Sequence, residues 1–211
     1  MLERLSRSPA GAFAMIAGIV LVTALLLAAM GHSLVCSCGT LRLWDGQITT
    51  AENSQHLTDW YSFSHLLYGL ILYAFLRLVA PHWTLNKRLV VAAMIAAGWE
   101  LGENTPFLIE RYRDVTVSVN YHGDSIVNAV TDIVAALAGF GLAAVLPVWG
   151  SIALFLGTEA LTAWAARDGL VLSVVMVTAP LEALRDWQLA RLRQCDHLAA
   201  RDTIYSRRAG V

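Results

Sequence analysis

Apolar residues run without a charge from Gly11 to Met30, and Thr23 is the one polar side chain among them. Roughly 20 helical residues cross a hydrocarbon core of about 30 Å, so the run predicts a membrane-spanning helix. It outlasts the apolar stretch of about 7–15 residues in a cleavable signal, so it reads as a retained first span. A polar stretch follows from Gly31 to about Trp60, with the turn pair Asp45-Gly46 and the run Glu52-Asn53-Ser54-Gln55-His56. A second span is predicted over 61–80, stopped by Pro81, a third over 89–105, stopped by Pro106, and a fourth over 124–146, stopped by Pro147. Two shorter apolar runs, 151–166 and 169–184, are split by Arg167-Asp168. They read as two short spans, the alternative being a hairpin that dips into the membrane. The expected fold is therefore all-α: one polytopic integral domain over 1–211, about six spans, and a charged tail over 185–211.

Composition agrees. The chain has 211 residues, 57% hydrophobic and 15% charged, against about 45–50% and 25% in soluble domains. A net charge of −1 gives no basic footprint for nucleic acid. With six crossings, eleven of the fifteen Lys and Arg fall on the N-terminal side of the membrane. The positive-inside rule then puts both termini in the cytoplasm. The tail arginines are expected on an amphipathic helix at the inner leaflet. Three cysteines do not make a disulfide framework. Cys36 and Cys38 could form a redox bridge or half of a soft-metal site, and with Cys195 they read as structural or incidental.

Ionisable side chains in a span cost about 2.5–3.5 kcal/mol each on insertion scales, so those present need a reason. The second span opens with Asp59 and carries Tyr61, His65 and Tyr68 at helical spacing. The third carries Glu100, Glu103 and Asn104 on one stripe with Trp99 beside it. The fourth opens with Asp124 and Ser125, and Asp124, Asn128 and Asp132 recur every four residues. Under the predicted topology all three stripes reach the outward half of the bilayer. Four carboxylates in low dielectric must bind a cation, share protons or pair with arginine. Carboxylates with a histidine suit a divalent cation such as Mg, Mn, Zn or iron. His65, Glu100, Glu103, Asp124 and Asp132 are therefore the candidate metal ligands or acid–base groups. Asp59, Tyr61, Tyr68, Trp99, Asn104, Ser125 and Asn128 are the candidate pocket and substrate-binding residues. Plainer roles stand beside these: an N-cap for Asp124, pairing of Glu100 and Glu103 with Arg111 or Arg113, an interhelical hydrogen bond for His65.

Several strings resemble a bacterial inner-membrane family: Cys36-Ser-Cys-Gly, Glu52 through His65, Trp99-Glu-Leu-Gly-Glu-Asn-Thr-Pro-Phe, Arg111-Tyr-Arg and Tyr121-His-Gly-Asp-Ser-Ile-Val-Asn. This is uncharacterised protein family 0314, or domain of unknown function 2585. The resemblance implies a multi-pass location in the bacterial plasma (inner) membrane and brings no activity with it. A looser similarity, to the VanZ-like proteins associated with teicoplanin resistance, covers Asp59, His65, Glu100 or Glu103, Asp124, Asn128 and Asp132. The second Glu and the long polar loop depart from that pattern, so it implies architecture only. Three functions fit: a metal-dependent enzyme acting on a lipid or lipid-linked envelope substrate, a small ion-coupled transporter, and a non-catalytic scaffold. The sequence leaves the oligomeric state open.

Overall fold

A computed structural model describes residues 8–190. Its elements are α1 (Pro9–Ala29), α2 (Trp60–Val79), α3 (Leu85–Glu103), α4 (Pro106–Val115), α5 (Ile126–Val145), α6 (Val148–Ala165) and α7 (Leu170–Thr178); residues 182–190 are helical as well. The described residues include no strand, only an isolated bridge between Trp44 and Thr58. The protein is an all-helical polytopic membrane protein. Four helices, α1, α2, α5 and α6, are long and apolar enough to cross a bilayer. The α3 helix has nearly the same length, 19 residues, but carries Lys87, Arg88, Glu100 and Glu103.

Local chemistry sets the boundaries. Ser8 caps α1, its hydroxyl accepting from Gly11 N at 3.0 Å. Asp59 caps α2, accepting from Tyr61 N and Ser62 N, while the Ser62 hydroxyl accepts from Asp59 N, a reciprocal capping box. Ser125 caps α5 through Asn128 N. The central pair is α2 and α5, which cross in backbone contact. A Cβ added at Gly69 would land on the Ala136 carbonyl oxygen, and one at Gly139 on that of Leu66. Small residues allow this approach in the usual manner of membrane helices. The crossing brings the Ser62 hydroxyl to Asp132, 2.8 Å away.

The C-terminal runs differ from expectation. Run 151–166 is part of an 18-residue helix, α6, that starts at Val148. Run 169–184 does not form one helix: α7 has nine residues, about 14 Å at 1.5 Å per residue, half a hydrocarbon core. Pro180 has no N–H to carry the helix on. The chain then turns back. Arg167 donates to the Trp187 carbonyl and stacks on its ring, and Gln188 Nε2 donates to Arg167 O at 3.0 Å. Leu189 packs on Ile48, Val117 and Ala166. Residue 190 thus sits at the same end of the bundle as Arg167 and the start of α2, whereas Pro9 lies at the other end. The two chain termini, both expected in the cytoplasm, lie outside the described residues. Most of the expected tail helix lies outside the described residues.

Candidate functional site

The site lies at the end of the bundle where α2 and α5 begin and α3 ends. His65, 8% exposed, and Glu100, 0% exposed, face each other from α2 and α3, with Nδ1 3.3 Å from Oε1. One ligand atom each from His65, Glu100 and Glu103 lies within 4.8 Å of the others. Asp132 Oδ2, from α5, is 4.0 Å from His65 Nε2. Both Glu100 carboxyl oxygens and Glu103 Oε2 are buried without a hydrogen-bond partner. Arg111, an expected counter-charge, instead donates from Nε to Val177 O at 3.0 Å, tying the end of α7 to α4. A pocket of about 100 Å³ reaches this group, lined by Tyr61, Ser64, His65, Tyr68, Trp99, Glu103, Tyr112, Leu170, Ser173 and Val174. Trp99 and Val174 are 37% and 49% exposed on the flank of the bundle, so the pocket opens sideways. Tyr68 and Trp99 stand with ring centroids 6.4 Å apart across that opening.

The other candidates assemble a scaffold around this centre. Asp124 stands apart from the His65 group: its carboxylate accepts from Asn104 Nδ2 at 2.7 Å and from the Tyr121 hydroxyl at 2.9 Å. Its backbone N donates to Asn104 Oδ1 at 2.6 Å, closing a two-way clamp on the end of α3. Asn128 Nδ2 donates to His56 O, and the Ser125 hydroxyl to Gln55 O, anchoring the 31–59 segment on α5. Asp59 is buried with its α2 cap, and burial raises its carboxyl above the ordinary value. A separate surface cavity of about 610 Å³ lies on the far side of the Asn104–Asp124 clamp.

Three contributors have no motif of their own. His32 meets two backbone carbonyls, Asp124 O at 3.0 Å from Nδ1 and Asn104 O at 3.1 Å from Nε2. Glu159 receives Leu170 N and Val171 N on its two oxygens, capping α7. Asp168 accepts from the Tyr61 hydroxyl (2.9 Å), Ser173 hydroxyl (3.0 Å) and Gly169 N (2.9 Å), pinning α7 over the pocket.

Burial pushes the Asp168 carboxyl up to about 6 despite these three donors. The folded protein therefore holds this proton more tightly than the unfolded chain, whose Asp titrates near about 3.9. The group's contribution to stability is complete below about pH 4 and is lost as pH rises through about 6. Asp168→Asn is expected to flatten that part of the midpoint-versus-pH curve between pH 4 and 7, read by thermal unfolding in detergent. Superimposable slopes for the two proteins would refute this assignment.

Cys36 and Cys38 are joined by a disulfide. With Glu52 and His56 they form a second gathering of ligand-type atoms. There His56 Nδ1 accepts the Arg42 N–H at 3.3 Å, and Nε2 faces Glu52 at 3.2 Å. A metal-bound neutral imidazole keeps its other nitrogen as a donor, the reverse of this arrangement, so the group reads as a loop staple.

Against known proteins, the family described as "Protein of unknown function (DUF2585)" matches residues 27–190. A UPF0314 protein of Paracoccus denitrificans is 49% identical over 172 residues, 82% of this chain and 89% of its own. One from Sphingopyxis alaskensis is 42% identical over 172 residues, 82% of this chain and 92% of its own. No solved structure matches.

Proposed function

Because the chain belongs to the DUF2585 family and is similar to UPF0314 proteins over most of its length, names that carry no activity, we propose from the site itself a divalent-cation-dependent membrane enzyme acting on a lipid or lipid-linked envelope substrate. The observation that carries this reading is the convergence of His65, Glu100 and Glu103 with three carboxylate oxygens left without a hydrogen-bond partner. Carboxylates so placed carry a steep desolvation cost that a cation offsets, and carboxylate with imidazole is a hard-to-borderline ligand set. His65 would ligate through Nδ1. Asp132, on the Nε2 side and itself held by Ser62, would fix the ring, the arrangement by which carboxylates orient metal-bound histidines. A cation there would polarise a substrate oxygen or activate a bound water.

The sideways pocket between Trp99 and Val174 supports a substrate that arrives within the bilayer. The Cys36–Cys38 disulfide on the site face favours an oxidising compartment, and hence an exoplasmic site in the inner membrane.

In detergent, a hundredfold excess of Mn²⁺ or Zn²⁺ over Kd is expected to raise the unfolding midpoint by roughly 5–10 °C, and chelation to reverse it. His65→Ala should abolish the response. A wild-type midpoint indifferent to cation and chelator would exclude this function, and cation-driven flux in proteoliposomes without turnover would favour a transporter.

A further inference from the structure

At the opposite end of the bundle, α2, α5 and α6 enclose a groove of about 380 Å³. Its wall is apolar, with Leu70, Leu146, Ile152 and Phe155 along it, and Arg77 is the one charged side chain lining it. Tyr73 stands one turn before Arg77 on the same face of α2 and also lines the groove. The Arg88 guanidinium, from α3, lies 6.0 Å from the Tyr73 ring centroid. Arg88 is 7% exposed, yet its Nε and Nη1 have no hydrogen-bond partner. The chain carries no Asp or Glu from residue 66 to 99 or from 133 to 158, so nothing acidic in the helical segments around the groove answers these two arginines. Buried donors without acceptors are costly, and a guanidinium makes its strongest pairs with planar or tetrahedral oxyanions.

We propose that this groove is a binding site for an anionic phospholipid, its acyl chain against the α2–α6 wall and its phosphate between Arg77 and Arg88. The groove supplies what each half of such a lipid needs: an apolar channel for the chain, and the Arg77 guanidinium on its lining near the turn at Pro81, with the Arg88 guanidinium behind it against the ring of Tyr73, which also lines the groove. A net-neutral lipid would fill the channel equally well, but its headgroup cation would sit beside two guanidinium groups that have no acidic neighbour, whereas a net-anionic headgroup brings only negative charge to them. The site is separate from the His65 centre and does not depend on the cation there.

The test is thermal unfolding of the full chain in detergent, titrated with phosphatidylglycerol or with phosphatidylcholine of the same acyl chains. Phosphatidylglycerol is expected to act at a lower concentration, and Arg88→Gln and Arg77→Gln each to weaken that preference by roughly fivefold. Arg77 is exposed, so its variant keeps the test decisive if Arg88→Gln fails to fold. Ser151→Trp, which fills the groove, should blunt the response to both lipids. Lys87 lies over the Trp83 ring at 4.2 Å and does not line the groove, so Lys87→Gln should leave the preference intact. Equal responses to the two lipids, a preference that survives Arg77→Gln, or one that Lys87→Gln removes to the same extent would overturn the proposal.

Discussion

A Glu100→Leu protein is expected to unfold at a higher temperature than wild type when both are free of divalent cation, and to lose all stabilisation by added cation. Glu100 is fully buried, and neither carboxyl oxygen has a hydrogen-bond partner. Leaving a polar group in that condition costs about 1–3 kcal/mol, and an isosteric apolar side chain removes the cost. In a chain of this size the gain corresponds to roughly 2–4 °C for each kcal/mol. The loss of the 3.3 Å contact with His65 offsets part of it. The two opposite effects in one variant separate a functional carboxylate from a structural one. A Glu100 that merely locked helices together would give a Leu variant less stable under every condition. Differential thermal unfolding, with and without chelator, decides between them.

The second large effect falls far from any ionisable group. Gly139→Val is expected to prevent assembly of the bundle, because the added Cβ would occupy the position of the Leu66 carbonyl oxygen. Side-chain overpacking costs about 1–3 kcal/mol when neighbours can rotate away; here the obstacle is backbone, so the cost lies at or above the top of that range. The consequence reaches the site, since the same crossing of α2 and α5 sets Ser62 and His65 against Asp132. Gly141, two residues on, has open space around an added Cβ, so Gly141→Val should fold. Monodispersity by size-exclusion chromatography in detergent distinguishes the pair. Equal behaviour of the two variants would mean that the close crossing is not required.

Much of this was legible in the residues. Proline placement marked the ends of α2, α3 and α5 to within a few positions, because the missing N–H and fixed φ act locally. The stripe of Glu100 and Glu103, and the shared face of Tyr61, His65 and Tyr68, followed from helical periodicity; Tyr61, His65, Tyr68 and Glu103 line the pocket, and Glu100 lies buried against His65. Asp124 shows where periodicity overreached. Four-residue spacing groups it with Asn128 and Asp132 only if the helix already runs at 124, but α5 starts at Ile126. Asp124 therefore sits in the preceding turn and points to Asn104 and Tyr121. The hairpin after α6 was ambiguous for a different reason. Residues 169–184 have the hydropathy of a span, while Pro180 and the contacts of Arg167 with Trp187 and Gln188 fold the chain back. His32 and Asp168 act through partners 72–107 residues away, distances at which no local pattern reports.

The cation centre is the central claim, and elemental analysis of the full chain purified without chelator tests it most directly. About one divalent cation per chain is expected, consistent with three converging ligand residues, and its loss in Glu100→Gln/Glu103→Gln protein that still folds. A metal-free wild-type protein that also fails to take up cation on titration, or a double variant that keeps the full content, would contradict it.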